Sequence, residues 1–156
     1  MSEIHICWRG SIMLHDIRVD HYMAKQPVVL TPDMSIDAAI KTLLQHRISG
    51  APVVHDGLLV GIFSEADCLS DMLQSGYYEM SSGLVRDVMS AGADTIHPSQ
   101  SILDAAELFK QRGRRRLPVV DDLGVVVGQI SRRDVLRALD DLAHKTSPKQ
   151  NSPATH

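Results

Sequence analysis

Aromatic side chains are scarce in this chain: 4% of 156 residues, with a single tryptophan, Trp8. A core must therefore be built from Val, Ile, Leu, Ala and Met, and the 44% hydrophobic content supplies them in globular proportion. Cysteine is nearly missing. Cys7 and Cys68 stand far apart, which excludes a disulfide framework and a thiolate metal site and fits a reducing, cytoplasmic compartment. No apolar run is long enough to cross a bilayer, and the opening MSEIHICWRGSIML carries an early acid and a central Arg, unlike a signal peptide. No membrane association is expected. Charge of neither sign dominates: a net −3 exerts no global pull toward nucleic acid or anionic lipid. The eight histidines include no His-Glu-x-x-His arrangement, so no metal site is expected. Gly-x-Ser-x-Gly is missing too, and the chain does not read as an enzyme.

What is present is a phrase written twice. Gly61–Asp67 reads GIFSEAD and Gly128–Asp134 reads GQISRRD. Shifting the chain by 66 places Met23 on Met89, Pro32 on Pro98, Ser35-Ile36 on Ser101-Ile102, Ala39 on Ala105 and Pro52-Val53-Val54 on Pro118-Val119-Val120. The shift becomes 67 after one extra residue, where His55-Asp56-Gly57 answers to Asp121-Asp122-Leu123-Gly124. Turns absorb such insertions and strands do not. The chain is thus a tandem repeat, with residues 17–74 and 84–144 as its units. Residues 1–16 precede them, 75–83 form a Ser/Gly-rich linker, and 145–156 form a polar tail expected to be disordered. The N-terminal extension is too apolar for a free tail, and Trp8 with its neighbours is expected to pack.

Each unit reads β-α-β-β-α, an α/β (α+β) fold. Val28–Leu30 and Thr95-Ile96 are predicted short strands. Ser35 and Ser101 are predicted N-caps, followed by apolar residues at helical spacing (Ile36, Ala39, Ile40, Leu43, Leu44). Pro52-Val53-Val54 opens a strand, Asp56-Gly57 supplies a tight turn, and Leu58–Phe63 returns as the second arm of a hairpin. Ser64 and Ser131 fall where strand passes into helix, over about 65–73 and 132–142. A unit of this size buries its apolar face poorly alone, so two packed units are expected.

Ser-x-x-Asp at a helix start is ordinarily a capping box. Its recurrence after a Gly-started strand in both halves suggests more. A carboxylate accepts two adjacent hydrogen bonds, which suits the 2′- and 3′-hydroxyls of a ribose, and a Ser hydroxyl beside free helix N–H groups suits a phosphate or sugar oxygen. The pieces VDHYM and VRDVM, ISGAPVV and RRRLPVV, GIFSEAD and GQISRRD occur in the same order in both halves, and in that order they resemble the CBS domain. The resemblance covers about 17–73 and 84–142. It implies a pseudo-two-fold pair of repeats, a Bateman module, with clefts for adenosine-containing ligands. It implies ribose binding by Asp67 and Asp134 with Ser64 and Ser131. It implies an adenine wall from Val28, Ile48, Ser49 and Ala51 in one half, and from Asp94, Arg114 and Leu117 in the other. Which wall serves which Asp stays open.

Seven of the sixteen Lys and Arg residues lie between Arg112 and Arg137. Arg forks suit phosphate oxygens, and the resemblance points to Arg115 and Arg116, with Arg132 and Arg133 beside Asp134. An anionic ligand is expected, AMP, ADP or ATP ahead of S-adenosylmethionine or NAD, with the tighter site in the Arg-rich half. No cofactor is required. Nucleic acid is disfavoured, because no aromatic stacking platform accompanies the arginines. The expectation is a ligand-sensing regulatory module, homodimeric through apolar helix faces, that signals through a conformational or oligomeric change and acts on another protein or on self-association. The competing reading is an interaction scaffold whose nucleotide clefts are empty.

Overall fold

The computed structural model describes residues 13–76 and 83–146. Trp8, most of the linker and the tail beyond Thr146, on which the sequence carries expectations, lie outside the described residues. Two 3-10 turns, Leu14–Asp16 and Val19–His21, come first. Helix α1 (Ile36–His46), strands β1 (Gly50–His55) and β2 (Leu58–Ser64), and helix α2 (Glu65–Ser75) make up the first repeat. The second repeat starts with α3 (Val85–Val88) and continues through α4 (Ile102–Arg112), β3 (Arg116–Val120), β4 (Val126–Ser131) and α5 (Arg132–Thr146).

Local chemistry sets most of these boundaries. Ser35 accepts from the Ala38 N–H at 3.1 Å and Ser101 from the Asp104 N–H at 3.1 Å, so both predicted N-caps form. Helix α1 ends at Arg47 in the left-handed region, φ 54°, where α4 ends at Gly113, φ 62°. The first hairpin turns on Asp56 (φ 51°) and Gly57 (φ 81°), the pair of positive angles a two-residue type I′ turn needs. The longer second turn closes on Asp121, whose Oδ1 accepts from the Leu123 and Val125 N–H groups. Two helices outrun their expected ends. Helix α5 carries no Gly or Pro before Pro148, so it continues through Lys145, which the sequence reading assigns to the tail.

The first strand of each repeat is reduced to a single parallel bridge, Leu30 to Val53 and Ile96 to Val119, leaving two two-stranded antiparallel sheets. Prolines account for this. Pro32 and Pro98 sit two residues beyond each bridge, and Pro52 and Pro118 offer a carbonyl but no N–H. Leu30 and Ile96 donate to those carbonyls at 2.9 and 3.1 Å and accept from the Val54 and Val120 N–H groups at 2.8 and 3.0 Å, and the pairing extends no further.

The cores cross the sequence boundary between repeats. One cluster joins Leu30, Ile36, Ala39, Leu43, Ala51, Val53 and Phe63 with Val85, the start of the second repeat. The other joins Ile96, Ile102, Phe109, Leu117 and Ile130 with Val19, the start of the first, and Leu14 packs against it. Each repeat therefore lends its leading segment to its neighbour. The hydrogen bonds match: the Val19 N–H donates to the Gln100 carbonyl at 2.8 Å, the Val85 N–H to the Met34 carbonyl at 2.9 Å. Val19 and Val85 are completely buried, each worth about 1.5–3 kcal/mol relative to exposure.

The two sheets meet at their turns. Leu58 pairs with Val125, which are equivalent positions of the two repeats. The Leu59 N–H donates to the Gly124 carbonyl at 3.2 Å and the Val126 N–H to the Gly57 carbonyl at 3.1 Å. The pseudo-two-fold axis passes between these residues.

Candidate functional site

The two hairpins face one another across the axis and leave a cleft of about 290 Å³. Ser49, Ala51 and Ser64 line it from the first repeat, and Arg114, Arg115 and Arg116 from the second. Pro52 and Pro118, with Ile62 and Gln129, supply paired positions on its walls. Equivalent backbone hooks hold both rims: the Glu65 N–H donates to the Ser49 carbonyl at 2.8 Å, and the Arg132 N–H to the Arg115 carbonyl at 3.2 Å. One wall is small and hydroxylic, the other cationic.

The glycines that open the repeated phrase are explained by the exchange. A Cβ on Gly61 would lie 2.8 Å from the Met89 sulfur and 2.9 Å from the Ser90 carbonyl oxygen. On Gly128 it would lie 2.5 Å from the Met23 sulfur and 2.8 Å from the Ala24 carbonyl oxygen. The borrowed segments bridge there, Ser90 to Ile62 and Ala24 to Gln129. Only a residue without a side chain lets the backbones approach this closely.

The serines and aspartates that close the phrase form capping boxes. Asp67 Oδ2 accepts from the Ser64 N–H at 3.0 Å and the Ser64 hydroxyl at 2.8 Å, while Ser64 Oγ accepts from the Asp67 N–H at 3.2 Å. Asp134 Oδ2 accepts from the Ser131 N–H at 2.8 Å and hydroxyl at 3.0 Å, and Ser131 Oγ from the Asp134 N–H at 3.2 Å. The second oxygens turn outward. Oδ1 of Asp67 accepts the Ser90 hydroxyl at 2.9 Å, and Oδ1 of Asp134 accepts Arg137 Nη2 at 2.6 Å.

Of the residues singled out in the sequence, Ser49, Ala51, Ser64, Arg114, Arg115 and Arg116 come together in this cleft. Asp67 stands directly behind Ser64. Val28 and Ile48 are half-buried in the first repeat and do not line it. The Leu117 side chain is fully buried in the second core, because strand alternation turns it inward between Arg116 and Pro118, and it does not line the cleft. Asp94 is engaged by Arg114 Nε at 3.1 Å and faces Arg112 Nε at 3.8 Å. Arg132 folds back, its Nε donating to the Arg114 carbonyl at 2.8 Å. Arg133 is exposed, and Ser131 and Asp134 lie outside the cleft lining.

Sequence reasoning missed Ser90 and Arg137. Arg137 carried a signal, its i+3 spacing from Asp134 on one helix. Ser90 carried none, since it reaches Asp67 only through the exchange. Cys68, next to Asp67, has its thiol pushed up to about 11 by burial and by the neighbouring carboxylates of Asp67 and Asp71. A larger hollow of about 530 Å³ lies between the N-terminal turns and α5, where the charges of Asp16 and Asp141 offset those of Arg137 and Lys145. There the Tyr22 hydroxyl donates to Asp141 Oδ2 at 2.7 Å, which raises the Tyr22 pKa. Among the described residues no group of three or more His, Cys, Asp or Glu could hold a metal ion, and no helix is long and apolar enough to cross a membrane.

The CBS domain model matches residues 19–74 and 85–141. The CBS domain-containing protein YhcV of Bacillus subtilis is 30% identical over 132 residues, covering 79% of this chain and 93% of that protein. The crystal structure of CBSX2 in complex with AMP superposes with a TM-score of 0.72 at 30% identity, covering 81% of this chain and 98% of the other; CBSX2 is a CBS-pair protein from Arabidopsis thaliana. The CBS domain pair of protein MJ0100, in complex with 5′-methylthioadenosine and S-adenosyl-L-methionine, gives a TM-score of 0.68 at 26% identity, covering 80% and 96%. The chain spans less than half of three other curated relatives, 47%, 42% and 23% of their lengths, one of them an inosine-5′-monophosphate dehydrogenase.

Proposed function

The chain belongs to the CBS domain family, and from that premise we propose that it is a regulatory module, not an enzyme, that binds an adenosine-containing ligand between its repeats. AMP, ADP or ATP fits best. One observation carries the reading: the cleft sets the Ser64 hydroxyl, backed by the Asp67 carboxylate, opposite Arg114–Arg116 of the other repeat. A ribose needs an acceptor for its hydroxyl pair and a phosphate needs forked donors. Ser64 and the arginines share one small hollow with Asp67 bonded behind Ser64, and the cationic wall favours the phosphates of AMP, ADP or ATP over the sulfonium of S-adenosylmethionine. AMP bound to CBSX2 supports the same class of ligand. Occupancy would bias the packing of the two repeats, since both walls contact one ligand.

A thermal-shift panel of AMP, ADP, ATP, NAD and S-adenosylmethionine tests this. A nucleotide at one hundred times its dissociation constant stabilises by about 2.7 kcal/mol, read as a rise in Tm, and 2′,3′-dideoxy analogues are expected to lose most of that rise. Equal shifts with the dideoxy analogues would remove the ribose assignment.

The second reading, an interaction scaffold with vestigial clefts, draws on the capping boxes. Both carboxylates are satisfied without any ligand. A flat response across the whole panel would favour it.

A further inference from the structure

The two ribose candidates share one cap and differ in their outer partner. A ligand's sugar must compete for the outward oxygen, Oδ1, because Oδ2 is committed to the serine. At Asp67 the competitor is the Ser90 hydroxyl, 2.9 Å away on an exposed side chain. A hydroxyl rotates away freely and pairs with water or with the incoming sugar. At Asp134 the competitor is Arg137 Nη2 at 2.6 Å, and the same nitrogen also donates to the Tyr22 carbonyl at 3.1 Å. This is a charge-assisted bond anchored at two points. With the guanidinium paired to it, the Asp134 side chain is only 15% exposed. The position equivalent to Arg137 in the first repeat is Ser70, which cannot play this part.

The cleft is unequal in the same sense. It is lined by Ser64 and not by Ser131, and the cations facing Ser64 come from the opposite repeat. Of the two arginines before Asp134 in the repeated phrase, Arg132 is turned away onto the Arg114 carbonyl and Arg133 is exposed outside the cleft lining. The arginines of the second repeat therefore face Ser64 of the first, whereas the sequence led to the expectation of a tighter site within the Arg-rich half.

Resting on the adenosine-ligand reading above, we infer that Arg137 is the residue that makes the two half-sites unequal. It occupies the outward oxygen of Asp134, and a nucleotide settles first with its ribose at Asp67 and its phosphate toward Arg115 and Arg116.

Calorimetry of the full chain with AMP tests this through four variants: Asp67→Asn, Asp134→Asn, and each combined with Arg137→Gln. Arg137 is 61% exposed, so its replacement leaves the fold intact, and a melting curve on each variant checks that point. D67N is expected to weaken AMP about tenfold or more, the scale of losing hydrogen bonds to a charged group. D134N is expected to change it little. In the D67N chain, adding R137Q is expected to strengthen AMP about two- to fivefold, the scale of an exposed ion pair removed as a competitor. In the D134N chain the same addition is expected to do nothing. Weaker or unchanged binding on adding R137Q to D67N would overturn the inference, as would D134N weakening AMP more than D67N. Those outcomes leave the adenosine reading standing. AMP failing to bind the wild-type chain and every variant overturns both.

Discussion

Asp67 and Asp134 each act in two directions. One oxygen closes a capping box and the other points to the outside of the helix start. Stability and binding are therefore separable at the serine. Ser64→Ala and Ser131→Ala each remove one cap and are expected to destabilise by about 1 kcal/mol, read as a lower midpoint in urea. Cys68 gives a second residue-scale expectation. Its thiol, raised from 9.0 to about 11, stays protonated near neutrality, so alkylation at Cys68 should be slow at pH 8 and accelerate only toward pH 11, as followed by peptide mass mapping. The sign for stability follows. The folded state holds this proton more tightly than the unfolded one, so the contribution is complete below about pH 9 and is lost as pH rises through about 11. A Cys68 that reacts at pH 8 as fast as free cysteine would contradict the burial.

At the scale of elements, the sequence disclosed what depends on neighbours in the chain. The caps at Ser35 and Ser101, the Asp56-Gly57 turn, the one-residue difference between the turns and both hairpins were all legible, because each is a local rule of backbone chemistry. The leading segments were not. Nothing in VDHYM states that Val19 is buried with Ile102 and Phe109, and nothing in VRDVM states that Val85 is buried with Phe63. The inward turn of Leu117 was not legible for a related reason. Its neighbours Arg114–Arg116 drew attention to the cleft, while the alternation of β3 turns it into the core. Serine and arginine on the cleft were found from the repeat, but Ser90 and Arg137 required the folded chain. The repeated glycines mark the hidden contact most directly. Gly61→Ala and Gly128→Ala would press a methyl into the Ser90 and Ala24 carbonyls, and each is expected to cost about 1–3 kcal/mol, measured by chemical denaturation. Alanine tolerated at both positions would mean that the borrowed segments pack less closely than described.

For the whole molecule, the exchange means that neither repeat is complete in sequence. A fragment spanning residues 17–74 lacks Val85, and one spanning 84–144 lacks Val19. Each is expected to show no cooperative melt by circular dichroism, and mixing the two is expected to restore one. A cooperative transition in either fragment alone would refute the exchange as a requirement for folding. Apolar side chains also remain on the outer helices: Leu69, Met72 and Leu73 on α2, Leu136 and Leu139 on α5. A second copy would bury them through a two-fold contact, and light scattering at micromolar concentration is expected to return twice the chain mass. A monomeric mass, with and without AMP, would refute the dimer.

The pairing of Leu58 with Val125 adds one consequence. These residues occupy the same place in the two repeats, and each repeat gives its opening turn to the other, so the relation between them is that of partners in a swap. A polypeptide carrying just one such unit could complete its core only by trading that turn with a twin, with a true dyad where the pseudo-axis now runs. Joining the twins head to tail fixes the trade within one chain. It also frees the halves to diverge, so that Arg137 can stand where the other copy keeps Ser70, an asymmetry that a perfect dyad forbids.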